Sequence, residues 1–249
     1  FRSHAQEGTA IMNFAEIMRL KGQEAGLSFT DRQLEQFSIY YELLVETNKV
    51  MNLTAITEPE EVAVKHMIDS LLAFDEKLFT EKTLADVGTG AGFPGIPLKI
   101  YCPSLKVTLI DSLAKGLKFL ETVIDGLGLK GIRCVHLRAE DAGRDPQHRE
   151  KYDLVTARAV ARLSVLAEYC LPLVKTGGSF IALKGSKYQE EIAAAGKALQ
   201  LLGGRLVSAE AVKLPGLDDG RAIVKIAKLK TTPKAYPRKA GLPDKQPLE

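Results

Sequence analysis

One glycine-rich stretch decides the fold class of this chain: Ala85-Asp-Val-Gly-Thr-Gly-Ala-Gly-Phe-Pro-Gly95. It follows a short apolar run that ends at Val87, and it leads into an apolar helical pattern at 94–101. A glycine signature is credible in this context, because a tight turn from strand to helix opens the doubly wound folds. We therefore expect the first strand of a Rossmann-like sheet to end here.

Short β-branched runs alternate with helical patterns from Thr83 onward. The predicted strands are 84–87, 106–110, 132–137, 152–157, 179–183, 205–214 and 222–229, and the predicted helices are 94–101, 113–127, 163–173 and 187–201. This alternation predicts an α/β fold with a mostly parallel, doubly wound sheet. Only residues 215–220 join the last two strands. That connection is too short for a crossover helix, so we expect a terminal antiparallel hairpin.

The chain is expected to have four parts. Residues 1–11 are expected to be an expression remnant, because Met12 is a natural start just before the first helical pattern. Residues 12–80 have helical periodicity only and predict an N-terminal helical cap. Within it, Thr30 and Gln33 form a capping box, and residues 57–60 open a later helix. Residues 81–230 are the predicted core, and residues 231–249 form a basic, proline-spaced C-terminal extension.

The composition excludes several classes of protein. The 249 residues are 45% hydrophobic and 26% charged, which is typical of a globular chain and not of a disordered one. The longest apolar runs are far shorter than a membrane span. Three widely spaced cysteines match neither a disulfide framework nor a metal-ligand pattern. We expect a cytoplasmic monomer with no metal site and no membrane partner.

Two cofactor signatures overlap in the glycine loop. Gly90, Gly92 and Gly95 satisfy the dinucleotide pattern G-x-G-x-x-G, whereas Asp86 and Gly88 extend it to D-x-G-x-G-x-G. We expect the Asp86 carboxylate to face the cofactor, where it would repel a pyrophosphate and attract a cation. S-adenosylmethionine carries a sulfonium and an ammonium group and no phosphate, so Asp86 favours it. An NAD-dependent oxidoreductase is the alternative.

Further acidic positions are expected at the same edge of the sheet. Asp111 ends the second strand, where an acid accepts both hydroxyl groups of a cofactor ribose. Ala139 and Glu140 follow the third strand and are placed to bracket an adenine ring. A helix N-terminus is the alternative explanation for the acid at 140. These positions indicate an adenosine-containing ligand without separating NAD from S-adenosylmethionine.

Several motifs together resemble one protein family. They are Asp86–Gly95, Asp111-Ser112, Arg138-Ala-Glu140, Val155-Thr-Ala-Arg-Ala-Val-Ala-Arg162, Tyr236-Pro-Arg-Lys, Asn52-Leu-Thr54 and Lys65-His-x-x-Asp-Ser70. With them the chain resembles, from Met12 to Glu249, the bacterial guanine-N7 methyltransferases of small-subunit ribosomal RNA, also called glucose-inhibited division protein B.

This resemblance implies a class I methyltransferase fold, S-adenosylmethionine as cofactor, and a guanine N7 of 16S ribosomal RNA in the small subunit as target. It also implies cofactor contacts at the matching positions, which are Gly88, Phe93, Ala139, Glu140 and Arg158. Asp86, Gly90, Gly92 and Asp111 are added to this set from the reasoning on the loop and the second strand.

Methylation at guanine N7 suits an enzyme without a strong base. The in-plane lone pair of N7 attacks a sulfonium methyl without first losing a proton, so alignment and charge placement matter most. Arg158 and Arg162 flank the end of the fourth strand and are the candidate catalytic residues. A surface ion pair is the alternative for Arg162. An arginine here is expected to hold guanine O6 or a phosphate, because donation to N7 would block the attacking lone pair.

Basic residues predict where RNA binds. Residues 225–249 contain seven Lys/Arg and two acids, so the first 224 residues carry −2 of the total charge of +3. The prolines are expected to keep this tail extended along a phosphate backbone, with a solvated tail as the alternative. The candidate RNA-binding residues are Lys65, His66, Lys230, Lys234, Arg238 and Lys239. A non-catalytic RNA-binding or ribosome assembly factor is the remaining functional alternative.

Overall fold

The computed structural model describes residues 12–249, and the predicted expression remnant at 1–11 lies outside this range. A seven-stranded sheet runs through the described residues in the order β3-β2-β1-β4-β5-β7-β6. The strands are β1 Thr83–Val87, β2 Lys106–Asp111, β3 Ile132–His136, β4 Tyr152–Arg158, β5 Val174–Lys184, β6 Gly204–Ala211 and β7 Ala222–Lys228.

Helices cover both faces of this sheet. The α-helices are α1 Phe14–Glu24, α2 Asp31–Asn48, α3 Pro59–Val62, α4 Asp69–Leu71, α5 Glu76–Phe79, α6 Gly95–Tyr101, α7 Ala114–Leu127, α8 Ala139–Arg144, α9 Leu163–Cys170, α10 Tyr188–Ala194, α11 Gly196–Leu202 and α12 Leu242–Lys245. A π-helical turn, Ala63–Ile68, joins α3 to α4, and a 3₁₀ turn, Leu171–Leu173, follows α9. Between residues 12 and 249, no helix is long and apolar enough to cross a membrane.

The predicted Rossmann-like sheet is confirmed. Strands β1 to β5 pair in parallel, and the strand order reverses between β1 and β4, where doubly wound folds bind their ligands. The hairpin of β6 and β7 is antiparallel, and β7 also pairs antiparallel with β5. The antiparallel hairpin predicted from the short connection at 215–220 is therefore confirmed.

Several predicted boundaries are wrong, each for a local reason. β5 begins at Val174, five residues before the predicted start, because Gly177 and Gly178 continue the strand through a register shift instead of ending it. The predicted helix at 187–201 is two helices, α10 and α11. By contrast, the helix predicted to open within residues 57–60 does so at Pro59, with this proline in its first turn as expected, and the side chain of Glu58 caps it by accepting from the Glu61 amide.

The N-terminal helices pack onto the core. The predicted capping box of α2 is confirmed, with Thr30 Oγ1 accepting from the Gln33 amide at 3.1 Å. Apolar side chains of α2 lie in one cluster with Leu120 of α7; they are Phe37, Tyr40 and Leu44. The Tyr40 hydroxyl also donates to the Ala91 carbonyl, which lies in the glycine loop. The predicted boundary between cap and core at residue 80 stays a prediction.

The C-terminal segment, residues 231–249, folds back onto the domain, so the expected extended strip is wrong. Arg149 Nη1 and Nη2 donate to the carbonyls of Tyr236 and Thr232 at 2.8 and 2.7 Å, and the side chain of Leu248 is buried. These internal partners outweigh the preference of proline-spaced sequence for an extended chain.

Lys228, at the end of β7, forms hydrogen bonds and an ion pair within the protein. Its side chain is buried, and its ammonium lies 2.6 Å from the Leu171 carbonyl, 2.9 Å from the Val174 carbonyl and 3.1 Å from Glu150. Replacing Lys228 with methionine is expected to lower the free energy of unfolding by roughly 2–3 kcal/mol, because these buried acceptors lose their donor. Urea unfolding measures this.

The matched control is Lys230→Met, since Lys230 is exposed two residues further on. Its effect should stay within about 0.5 kcal/mol. Equal losses in the two variants would contradict the assigned role of the buried ammonium.

Candidate functional site

The glycine loop turns over the end of β2 and is attached to it by backbone contacts. The Gly88 and Thr89 amides donate to the Ile110 carbonyl at 2.9 and 3.2 Å, and the Gly90 amide donates to Asp111 at 2.9 Å. Gly88 has a φ of +66°, and a Cβ there would lie 2.7 Å from Val160 Cγ2. Position 88 therefore requires glycine for both its backbone conformation and its space.

Asp86 lies beneath this loop, so the expectation that its carboxylate faces the cofactor is wrong. The side chain is fully buried and accepts from Thr89 Oγ1 at 2.7 Å, from Thr156 Oγ1 at 2.9 Å and from the Gly95 amide at 3.0 Å. Burial raises the pKa of this carboxyl to about 6, against the three hydrogen bonds that lower it. Asp86 thus fastens the loop to α6 and β4.

A crevice of about 180 Å³ opens beside the loop at the carboxyl edge of β1 and β2. We call it the adenosine crevice. Val160, from the loop after β4, and Tyr169, from α9, also line it, and neither was among the predicted cofactor contacts. The crevice brings together four predicted cofactor positions: Gly88, Asp111, Ala139 and Glu140.

The carboxylates in the adenosine crevice are acceptors held in place by the backbone. Asp111 accepts from the Gly90 and Leu113 amides, both at 2.9 Å, one on each oxygen. Glu140 is 3% exposed and accepts from the Gly241 amide at 2.8 Å. Each Asp111 oxygen keeps a second lone pair, and Glu140 keeps those of Oε1, since its two donors share Oε2, so both side chains can accept from ribose hydroxyl or amino groups. The donor and acceptor set fits an adenosine-containing cofactor.

A second cavity of about 370 Å³ adjoins the crevice. The chain segment after β4 separates the two spaces: Arg158 and Ala159 line the second cavity, and the next residue, Val160, lines the adenosine crevice. The two spaces therefore share one short stretch of chain, residues 158–160, in their walls. We call the second space the cationic cavity, after the basic residues that line it: Lys65, Arg158, Lys184 and Arg221.

Asp69 organises the cationic cavity. Its Oδ2 accepts from Arg158 Nη1 at 3.0 Å, and its Oδ1 accepts from Arg221 Nη1 at 2.8 Å. The carboxylate is buried and shared by two guanidinium groups, and Arg221 Nε also pairs with Asp219 at 2.8 Å. The lining as a whole has four Lys/Arg against two Asp, a formal charge of +2. Asp69 belongs to the sequence motif that begins at Lys65, but no local pattern indicated Arg221, which the β6–β7 hairpin brings back to the site.

Phe93 and Arg158 meet on the side of the cationic cavity. The Phe93 ring stacks on the His66 ring at 4.5 Å between centroids, and Arg158 Cζ lies 5.1 Å from the Phe93 centroid. These two predicted cofactor contacts are therefore close to each other. Arg158 lines the cationic cavity, whereas Phe93 is buried behind it and lines neither space.

His66 is held neutral by its surroundings. Arg158 Nη2 lies 3.1 Å from Nδ1, and an arginine can only donate, so Nδ1 accepts and the proton resides on Nε2, 2.8 Å from Thr54 Oγ1. Burial, followed by the charge of Arg158, lowers the pKa of His66 to about 4. His66 and Asp69 do not pair with each other, because Arg158 contacts both residues instead.

The two shifted pKa values predict a particular pH dependence. His66, with its pKa lowered from 6.5 to about 4, contributes stability above 6.5 that is lost as the pH falls towards 4. Asp86, with its pKa raised from 3.8 to about 6, contributes stability at low pH that is lost as the pH rises towards 6. The two slopes oppose each other in the parent protein.

Replacing His66 with glutamine should remove the first slope and keep the second. As the pH rises from about 4 to 6.5, the contribution of His66 should add roughly 3 kcal/mol to the free energy of unfolding of the parent. The variant lacks this contribution, so its free energy of unfolding should not rise in the same way. Urea unfolding at several pH values measures the difference. Parallel stability curves for the two proteins would contradict the neutral, buried state assigned to His66.

Arg162 lies apart from both spaces. Its Nε pairs with Glu249, near the chain end, at 3.0 Å, and among the described residues it lines neither the adenosine crevice nor the cationic cavity. The ion pair that the alternative account of Arg162 expects is therefore present, and a catalytic role for Arg162 stays a prediction. Arg162 is the N-cap residue of α9, whose first residue is Leu163, and its side chain makes no capping hydrogen bond.

The remaining predicted residues have varied surroundings. A Cβ at Gly92 would meet the Tyr40 hydroxyl, whereas a Cβ at Gly90 would have open space beside it. Arg238 pairs with buried Glu168. Three of the predicted RNA-binding residues have exposed side chains: Lys230, Lys234 and Lys239.

Comparison with known proteins identifies close relatives. The family model described as "rRNA small subunit methyltransferase G" matches residues 33–218. A protein named ribosomal RNA small subunit methyltransferase G from Ligilactobacillus salivarius is 56% identical over 234 residues, which cover 92% of this chain and 96% of the relative. A protein of the same name from Lactobacillus johnsonii is 51% identical over 94% of this chain and 99% of the relative.

Solved structures share the fold at low sequence identity. A ribosomal protein L11 methylase from Lactobacillus delbrueckii subsp. bulgaricus aligns with a TM-score of 0.51 at 17% identity, covering 67% of this chain and 79% of that one. A putative transferase from Pyrococcus horikoshii aligns with a TM-score of 0.53 at 15% identity, covering 66% and 63%. At this identity the likeness concerns the fold.

Proposed function

The chain belongs to the rRNA small subunit methyltransferase G family, and we propose that it transfers the methyl group of S-adenosylmethionine to N7 of one guanine in 16S ribosomal RNA. It is an S-adenosylmethionine-dependent rRNA methyltransferase with a class I fold. The alternatives, an NAD-dependent oxidoreductase and a non-catalytic assembly factor, are not favoured by these relatives.

One observation carries the proposal for the site: the adenosine crevice adjoins the cationic cavity at the switch point of the sheet. A cofactor and an anionic substrate need neighbouring spaces, so that the reacting atoms approach in line. The lining of the second space has four Lys/Arg against Asp69 and Asp219, and this excess of positive charge favours a nucleic acid backbone.

The residues of the crevice support a specific placement of the cofactor. We assign the ribose hydroxyls to Asp111, and the adenine side of the crevice to Ala139 and Glu140. Gly88 leaves room for the cofactor to approach the backbone of the loop. When bound, S-adenosylmethionine supplies an electrophilic methyl carbon, to which guanine N7 bonds as the C–S bond breaks and its electron pair stays on sulfur.

The cationic cavity has the chemistry that an N7 nucleophile needs. His66 is neutral, and its accepting nitrogen is already occupied by Arg158, so it is not poised as a general base. N7 requires no proton removal, and the proposed reaction therefore needs none. We propose that Arg158 holds the Phe93 and His66 rings and presents positive charge towards guanine O6 or a phosphate, while leaving N7 free.

We propose that RNA contacts Lys65 at the cationic cavity and, at a second surface, exposed lysines on or next to the C-terminal segment. Lys65 lines the cationic cavity, and Lys230, Lys234 and Lys239 are exposed on or next to the C-terminal segment. His66 and Arg238 have partners within the protein, which argues against direct phosphate contacts by these two residues. We place the reaction in the cytoplasm, where bacterial ribosomal RNA is made and assembled.

Methyl transfer to small ribosomal subunits tests the proposal. Subunits from a strain that lacks the gene would be incubated with the protein and with S-adenosylmethionine labelled in the methyl group. We expect incorporation into 16S ribosomal RNA, and none into subunits from the parent strain, where the position is already methylated. An absence of incorporation into naked RNA, assembly intermediates and whole subunits alike would favour an assembly factor instead.

A further inference from the structure

The C-terminal segment contacts both of the helices that contribute side chains to the adenosine crevice. Glu140 of α8 and Tyr169 of α9 line the crevice, and the two helices follow different strands of the sheet. No sequence motif linked the segment to this site, since its lysines and prolines pointed to RNA. Its contacts within the protein indicate a role at the adenosine crevice instead.

The contact with α9 is an ion pair with a buried carboxylate. Glu168, adjacent to Tyr169, is 1% exposed. The Arg238 amide donates to Glu168 Oε2 at 2.7 Å, and Arg238 Nη2 donates to Oε1 at 2.7 Å. A carboxylate this deeply buried requires compensation, and here a single residue of the segment supplies both a backbone and a side-chain donor.

The contact with α8 reaches the crevice itself. Three residues after Arg238, the Gly241 amide donates to Glu140 Oε2 at 2.8 Å, while Arg138 Nη2 lies at 3.3 Å from the same oxygen. Pro237 packs closely on Gly143, where a Cβ would lie 2.8 Å from Pro237 Cγ. The segment therefore fixes both the position of α8 and the orientation of its buried carboxylate.

We propose that the C-terminal segment is a positioning element of the cofactor site. Arg238 anchors the segment on Glu168, and the anchored segment presents the Gly241 amide that orients Glu140 towards the cofactor. Without this donor, the nearly buried carboxylate would keep one long contact on that oxygen and would be free to turn away from the crevice. The inference rests on the proposed function, because it takes the adenosine crevice to be the site of S-adenosylmethionine.

This role differs measurably from RNA binding by the same segment. A segment that contacts only RNA would change the affinity for the ribosomal subunit and leave the affinity for the cofactor unchanged. A segment that orients Glu140 would change the affinity for the cofactor when no RNA is present. The two roles therefore separate in a binding experiment on the protein alone.

The experiment is a calorimetric titration of the full chain with S-adenosylhomocysteine in the absence of RNA. Arg238→Ala is expected to raise the dissociation constant roughly tenfold. In methyl transfer, the KM for S-adenosylmethionine should rise in proportion while kcat stays within about twofold, as expected for lost binding energy. The control is Lys245→Ala, an exposed position on the same segment, which should match the parent in both measurements.

A second variant covers the case in which Arg238→Ala fails to fold because Glu168 is left as an unpaired buried charge. The double substitution Glu168→Gln with Arg238→Met removes both charges and should give the same loss of cofactor affinity. Parent-like affinity in a folded variant would overturn the inference. If the parent chain itself does not bind S-adenosylhomocysteine, the proposed function fails instead, and the two failures remain distinguishable.

Discussion

Replacing Gly88 with arginine is expected to abolish binding of S-adenosylmethionine, with a loss of affinity of more than roughly 100-fold. The backbone of Gly88 has a φ of +66°, which side-chain-bearing residues rarely adopt. A Cβ at this position already approaches Val160 Cγ2 to 2.7 Å, so a long side chain has to enter the adenosine crevice. Calorimetric titration with S-adenosylmethionine and S-adenosylhomocysteine measures the loss.

A matched control is Gly177→Arg. Gly177 also has a positive φ, of +90°, but it is exposed in β5, and a Cβ there would meet open space. This substitution introduces the same side chain at another backbone position with positive φ, and it should leave cofactor affinity near that of the parent. Retained affinity in Gly88→Arg would place the cofactor elsewhere. Binding of NADH without binding of S-adenosylhomocysteine would restore the oxidoreductase alternative.

Replacing Arg158 with alanine is expected to lower kcat/KM for methyl transfer by roughly 100-fold, the order of loss that follows small misplacements of reacting groups. The guanidinium donates to the Lys65 carbonyl at 3.1 Å and to Asp69 at 3.0 Å, and it contacts His66 and Phe93. Its removal therefore loosens the wall between the two cavities and takes positive charge from the substrate side. Methyl transfer to small subunits measures the effect.

Arg162→Ala is the matched control for Arg158→Ala. Both arginines belong to the same motif, but Arg162 forms a partly exposed ion pair with Glu249, and such pairs contribute little. Its kcat/KM should stay within about threefold of the parent value. Arg158→Lys adds a second variant, since lysine keeps the charge and loses the planar fork of donors. Equal activity of the Arg158 and Arg162 variants would contradict the assignment.

Local sequence patterns predicted the sheet well, because the residues that indicate each strand, cap or turn lie within a few positions of one another. The capping box at Thr30 and the short connection at 215–220 both had the predicted consequence. The strand start at Val174 was missed because two glycines there are typical of a turn, whereas the neighbouring strand accommodates them through a register shift. That accommodation is a tertiary effect.

The site was predictable only in part. The glycine loop and the ends of β2 and β3 identified Gly88, Asp111 and Glu140, since strand ends of a parallel sheet converge on one edge. The preference for S-adenosylmethionine over NAD in the sequence depends in part on an acid expected to face the ligand. The structure buries that acid, Asp86, under the loop. The cofactor assignment now rests on the family and on the crevice, not on this charge.

Contacts between residues far apart in the sequence could not be predicted from local sequence patterns. Arg221 reaches Asp69 because the β6–β7 hairpin returns the chain to the site, and the two residues are far apart in sequence. The composition of the C-terminal segment predicts an extended cationic strip, because it shows the charges and the prolines. It does not show which residues elsewhere in the chain hydrogen-bond to the segment. Its actual conformation depends on acceptors such as Glu168, which lies in another part of the chain.

The identity of the methylated nucleoside shows whether this chain methylates N7 of a guanine. Small-subunit RNA labelled by the protein would be digested to nucleosides and separated by chromatography with mass detection. We expect the label to appear in 7-methylguanosine and to disappear when Gly88→Arg replaces the parent protein. Label in a base methylated on an exocyclic amine, on carbon or on a ribose hydroxyl would contradict it.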